Sequence, residues 1–136
     1  MIAPKCREVV FDCKLLSEAN RGGHWAARAR RTRALRELVA AQLLRTIEET
    51  PQLPAIITLT RIAPRRLDDD NLARAFKSVR DSVADFLLPA NRGNQSQRWA
   101  DDDDERIEWQ YRQRKGRPHE TSVAIRIETK EKIRGQ

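Results

Sequence analysis

Two acidic runs stand out in this chain: "LDDDN" at 67–71 and "ADDDDERIEW" at 100–109. In an extended link, Asp68 and Asp70 project to one side while Asp69 turns away. Two carboxylates a few ångströms apart are a familiar seat for Mg²⁺. The same residues also suit a helix start, because Asp and Asn cap free N–H groups and complement the helix dipole. One cap explains one aspartate, however, and three in succession repel one another. The second run, Asp101 to Glu105, reads by itself as a solvated loop. Taken together the runs suggest metal ligands, since each abuts a regular element able to hold it still.

The acids are surrounded by bases. The 136 residues include 27 Lys and Arg against 20 Asp and Glu, a net charge of +7. The two runs take eight of those acids, leaving 27 bases against 12 acids elsewhere. A surface this positive attracts polyanions, and phosphate backbones are the usual target. A carboxylate cluster repels DNA unless cations stand beside it. Arg65 and Arg66 directly precede the first run, and Arg74 and Lys77 follow one to two turns along. Arg21, Arg28, Arg30, Arg31 and Arg33 crowd the start of an earlier helix, and Asn20 could position a nucleic-acid backbone. For any one of these, a solvated helix face is the plain alternative. Trp109 alternates with Ile107 and Tyr111 and belongs to a core; Trp99, in a polar loop, is a candidate for stacking on a base.

Other chemistries are poorly supported. Cys6 and Cys13 are seven apart, so on one strand they point to opposite faces and cannot bridge each other. With only His24 and His119 available, no zinc spacing exists; His24 reads as a loop hydrogen-bonder. No apolar run approaches the roughly 20 residues of a membrane span, and "MIAPKCREVVFDCK" lacks the apolar segment of a signal peptide. A soluble, cytoplasmic protein without membrane contact is expected.

The elements that must position these groups follow from periodicity. Val9, Phe11, Cys13 and Leu15 alternate as a strand. The loop 17–25 leads to a helix from Trp25 to about Glu49, with Leu35, Leu38, Val39, Leu43 and Ile47 as its apolar stripe and Pro51 as its stop. "AIITLTRIA" (55–63) is a β-branched strand. Leu72, Phe76, Val79, Val83, Phe86 and Leu87 mark one helix over 72–87, closed by Pro89. The runs 106–113 and 121–129 alternate and, across the basic turn "RKGRPH", read as a hairpin. One domain over 1–136 is expected, with a core over about 8–129, a polar loop at 89–100 and a frayed tail at 130–136. The order β-α-β-α-β-β predicts an α+β fold: a small mixed sheet with two helices on one face. The link from Leu88 to Asp103, about 50 Å if extended, is long enough to return the second acids to the first.

The pattern "D-x-D-N-L-x-K" at a helix start, then "W-x-D-D-x-x-V" opening a strand, resembles the RusA-type Holliday junction resolvases of phages and prophages. Here it reads Asp68-Asp69-Asp70-Asn71-Leu72-Ala73-Arg74, then Trp99-Ala100-Asp101-Asp102. "NRGGHWAARARR" is similar to that family's N-terminal loop and basic helix start. The likeness runs from about Phe11 to Ile127. It implies a homodimer that binds branched, four-way DNA junctions and nicks two strands symmetrically with Mg²⁺. By position, Asp68 and Asp70 match the first two catalytic, metal-binding aspartates. Counting back from Ile107 makes Asp104 the third; counting from Trp99 makes it Asp102. The strand register favours Asp104, and both are retained. Two departures stand out: Asp69 replaces an aliphatic residue, and Arg74 replaces the family lysine. Arginine stays charged and can stabilise a phosphorane-like transition state, but it is a poor proton donor. Lys77 is placed to compensate. The rival reading is a basic nucleic-acid-binding accessory protein, or a degenerate resolvase that binds junctions without cutting.

Overall fold

The alternating apolar residues merge into one continuous face. The computed structural model describes residues 6–15, 25–88 and 104–130. In chain order these form β1 (Cys6–Asp12), α1 (Trp25–Thr46), β2 (Ala55–Ala63), α2 (Asp69–Ala75), α3 (Lys77–Leu87), β3 (Ile107–Lys115) and β4 (Ser122–Thr129). One four-stranded sheet has the order β1-β4-β2-β3. β4 is antiparallel to β1 and β2, whereas β3 runs parallel to β2. The fold is a mixed sheet in an α+β arrangement, as the element order predicts. The polar loop expected at 89–100 and the tail beyond Lys130 lie outside the described residues.

Register explains the single core. Val9 pairs with Ile125, Ile125 with Leu59, and Leu59 with Tyr111. Side chains in register across a sheet leave by the same face. Val39 and Leu43 of α1, with Val79, Val83 and Phe86 of α3, join these strand residues in one buried cluster. The helices therefore share one face. The row Glu8, Arg126, Thr58 and Gln110 runs along the other.

Two local expectations change. β3 and β4 are not a hairpin, because β2 lies between them. Crossing β2 means spanning about 10 Å, two strand spacings, which a tight two-residue turn cannot do. Residues 116–121 make the crossing, with Gly116 N donating to Ala63 O at 2.9 Å. The passage is close: a Cβ on Gly116 would sit 2.8 Å from Glu120 Oε1 and 3.2 Å from Ile62 Cγ2. His119, within the turn, has φ 69°, a left-handed value that non-glycine residues seldom adopt.

The long helix expected over 72–87 begins earlier, at Asp69, and is divided at Phe76. Neither proline nor glycine stands there. Phe76 has φ −86° and ψ 0°. Its ring is fully buried and stacks on Tyr111 with centroids 5.9 Å apart. The residue that interrupts the helix is thus clasped by the sheet. A further tie lies between α1 and α3. Arg36 Nη2 donates to the buried Asp81 at 2.8 Å, and Ser82 Oγ donates to Arg36 O at 3.1 Å. Lys77 Nζ also meets Asp81, at 3.1 Å, but its side chain is 62% exposed against 25% for Arg36. Partial burial makes the Arg36 bond the stronger of the two. Asp81→Asn should lower the unfolding free energy by about 2 kcal/mol, the scale of a hydrogen bond to a charged group. Lys77→Ala should cost under about 1 kcal/mol, as exposed pairs do. Urea denaturation of both variants checks the ranking, and equal losses would contradict it.

Candidate metal centre and nucleic-acid interface

β2 ends at Ala63, and residues 64–67 lift the chain from the sheet into α2. A side-chain amide secures this link. Gln113 Oε1 accepts from Leu67 N at 2.9 Å, and Gln113 Nε2 donates to Leu67 O at 2.7 Å. Gln113 thereby satisfies both backbone groups of Leu67, as a neighbouring strand would. Asp68 follows as the N-cap of α2, extended at φ −70° and ψ 165°. Its Oδ1 accepts from Asn71 N at 2.9 Å. Asp69 and Asp70 occupy the first turn, and all three aspartates are exposed. The cap is real, then, and it takes one oxygen of Asp68. The strand-like alternation expected between Asp68 and Asp70 does not hold, because the backbone is helical from Asp69 and turns about 100° per residue.

Asp104, from the second acidic run, is elsewhere. Asp104 O accepts from Ile107 N at 3.0 Å, at the start of β3, and Arg106 O accepts from Ala55 N at 2.9 Å, at the start of β2. Leu67, which leads into Asp68, is docked on Gln113 near the other end of β3. Ile107 and Gln113 are about 20 Å apart along a strand rising ~3.3 Å per residue. Within one chain, therefore, Asp104 does not join Asp68 and Asp70. Asp102 lies outside the described residues. Asp104 does not make the anticipated return to the first run, because parallel pairing requires β3 to enter beside the start of β2. Among the described residues, no group of three His, Cys, Asp or Glu side chains is placed to hold a metal ion.

Asp104 is itself engaged. Its Oδ1 accepts from Arg106 N at 2.9 Å and from Nε at 3.0 Å, and its Oδ2 accepts from Nη2 at 2.8 Å. The Arg106 side-chain bonds, helped by its backbone N–H, hold the Asp104 carboxyl down at about 2.

The bases fall into distinct groups. Arg65 and Arg66 are exposed on the link before α2, and Arg74 is exposed in its last turn. Lys77 is engaged by Asp81 rather than standing alone. Arg28 is exposed and Arg31 half-buried near the start of α1. Asn20 and Arg21 lie outside the described residues, as do His24 and Trp99. Trp109 packs partly buried against the core, with the Arg80 guanidinium 4.7 Å from its ring centre.

Sequence reasoning misses four contributors: Arg61, Gln113, Arg114 and Lys115. In the sequence, Arg114 and Lys115 suggest only a basic turn. Pairing Ile62 with Arg114 and Ala63 with Lys115 sets them beside Arg65 and Arg66 around a cleft of about 280 Å³ that Arg61 and Gln113 also line. The cue is the shared finishing end of β2 and β3, which only register reveals.

Comparison with protein-family models finds no match, and comparison with curated proteins finds none either. Among the described residues, no helix is long and apolar enough to cross a membrane.

The Asp104 clasp makes a prediction. Its folded pKa lies below the ordinary value near 3.9. Its contribution to stability is therefore complete above about pH 4 and is lost as pH falls from 4 through about 2. An NMR titration of the Asp104 carboxyl carbon should show a midpoint near 2 in the parent. Arg106→Ala should raise that midpoint towards 4; an unmoved midpoint would remove Arg106 as the cause.

Proposed function

We propose that this protein is a Mg²⁺-dependent, structure-selective endonuclease that nicks four-way DNA junctions as a homodimer. The observation that carries the reading is the placement of Asp68 and Asp70. Two exposed carboxylates stand at the start of α2, immediately after the cations of the β2–α2 link. Hard oxygen donors of this kind suit Mg²⁺, which takes the rest of its shell from water and substrate phosphate. The bound ion would supply Lewis acidity at the phosphate and a more acidic water. The chain's own residues do the remainder. Arg65 and Arg66 draw the phosphodiester towards carboxylates that would otherwise repel it. Arg74 offers a permanently charged fork to the negative charge that grows in the transition state. Gln113 holds the link, and with it the capping aspartate, in register with the sheet.

A third carboxylate then comes from a second copy. In a two-fold dimer, what one surface offers its partner it also receives. Setting the Asp104 end of each sheet against the Asp68 end of the other would make two equivalent sites, the number that paired nicks require. Asp102 and Asp104 both remain candidates for the donated ligand.

The second reading, a junction-binding protein that does not cut, draws on a specific observation: Asp68 caps a helix and Asp104 is clasped by Arg106, so each acid already has a structural role. Nicking assays on a synthetic four-way junction separate the two readings. The parent should nick only with Mg²⁺. Asp70→Asn should lose roughly 100-fold or more in rate, the scale of removing one preorganised charged group, while binding the junction as tightly or more tightly. No nicking by the parent under any divalent cation would leave the binding reading.

Subunit mixing tests the shared site. Neither Asp70→Asn alone nor the double variant Asp102→Asn/Asp104→Asn should nick. A mixed dimer of the two carries one intact composite site and should nick one strand. If both singly altered dimers are dead and the mixed dimer is dead too, the site is not shared between copies.

A further inference from the structure

The finishing end of the sheet holds a cation that the proposed metal centre does not use. Arg61 lies in β2, paired with Val123 on one side and Gln113 on the other. It shares the register of Ile57 and Leu59, so its stem continues the helix-covered face to the point where that face runs out. Its Nη1 donates to Arg65 O at 2.6 Å. Its Nε is buried and has no hydrogen-bond partner among the described residues. Burial also pushes the guanidinium pKa below its ordinary value. A buried N–H left unbonded is costly, and an arriving acceptor removes that cost.

Arg61 also divides two clefts. The first, of about 280 Å³, is lined with it by Arg65, Arg66, Gln113, Arg114 and Lys115. The second, of about 260 Å³, lies towards β1 and β4 and includes Lys14, His119 and Thr121. Arg65, Arg66, Arg114 and Lys115 are exposed, and none is ion-paired with a carboxylate among the described residues. At the opposite end of the sheet the pattern differs: Arg106 is spent on Asp104 and Lys130 on Glu108. Unspent cations gathered around a partly desolvated arginine fit a tetrahedral oxyanion.

We propose that Arg61, with Arg114 and Lys115, forms a seat for one backbone phosphate of a nucleic-acid strand, next to the phosphate that Arg65 and Arg66 draw towards the carboxylates. The proposal rests on the nucleic-acid reading above but not on catalysis. The strand enters across the finishing end of β2 and β3, and Arg61 fixes its register before it reaches Asp68. Arg61 is here a positioning residue, and no bond-making step is assigned to it.

The test is run in EDTA, so a protein that never cuts DNA can still pass it. Binding of a fluorescein-labelled single-stranded oligonucleotide is followed by anisotropy from low to moderate salt. Arg61→Gln should weaken binding about tenfold and lower the salt slope by about 0.7, one single-strand phosphate contact. Arg61 is partly buried, so a second variant guards against misfolding: Arg114→Gln/Lys115→Gln, both exposed, should lower the slope by no more than about 0.7, because the same single phosphate is lost. Arg45→Gln, in the last turn of α1, should leave the slope unchanged. Unchanged slopes in the first two variants, or an equal drop in Arg45→Gln, would overturn the seat. A second arm follows the Arg61 Nε–H resonance by NMR. It should shift on adding the oligonucleotide. A shift with millimolar inorganic phosphate but none with the oligonucleotide would mark a site for the free anion and overturn the backbone assignment.

Discussion

The parallel pairing of β2 with β3 governs the rest of this molecule. It runs from Ala55 beside Ile107 to Ala63 beside Lys115. A parallel neighbour cannot be reached by a tight turn. The chain must leave β2 at one end and re-enter at the other, and α2 and α3 are part of that return. The described acids Asp68 and Asp104 then have their ends of the sheet assigned. Asp68 follows the finish of β2, Asp104 precedes the start of β3, and no choice of loop conformation in one chain exchanges them.

The consequence is a sheet with two unlike ends. At the starting end, charge is largely internally balanced, with Asp104 on Arg106 and Glu108 on Lys130. At the finishing end, Arg65, Arg66, Arg114 and Lys115 have no such partners among the described residues. Exposed ion pairs add little to stability, so this arrangement bears on the external field more than on folding. The fold is held instead by the apolar cluster and by the Arg36–Asp81 tie between α1 and α3. The surface charges are therefore at liberty to serve a ligand.

Much of the fold is readable from the residues alone. β2 matches its expected bounds, and the apolar stripe expected for the first helix is buried at Val39 and Leu43 in α1 and at Ile47 just past its end, as the spacing implies. These features are local, and periodicity reports local facing well. The misread features are not local. Two alternating runs across a basic turn look the same whether they pair with each other or admit a third strand between them. Phe76 sits in an unbroken apolar stripe, and only its stacking on Tyr111 marks it as special. At the site, the Asp68 cap is legible because capping is a matter of four consecutive residues. Arg114 and Lys115 are not, because their significance depends on lying beside Ile62 and Ala63, some fifty residues earlier in the chain.

The two acidic runs also differ in how firmly they are held. Asp68 is fixed through Leu67 and the Gln113 clamp to the sheet, and through Leu72 and Phe76 to the core. Asp104 is fixed chiefly by a neighbour two residues away, whose side chain is more than half exposed. Such a clasp trades readily with solvent and ions. A carboxylate that must change partners when a second copy and a divalent cation arrive is better held this way than by a buried arginine. Asp81 makes the contrast: buried and met by Arg36 and Lys77, it would strand Arg36 if it left, and it belongs to the framework. The clasped Asp104 is thus compatible with a ligand role, and the capping Asp68 supplies the fixed half against which it would close.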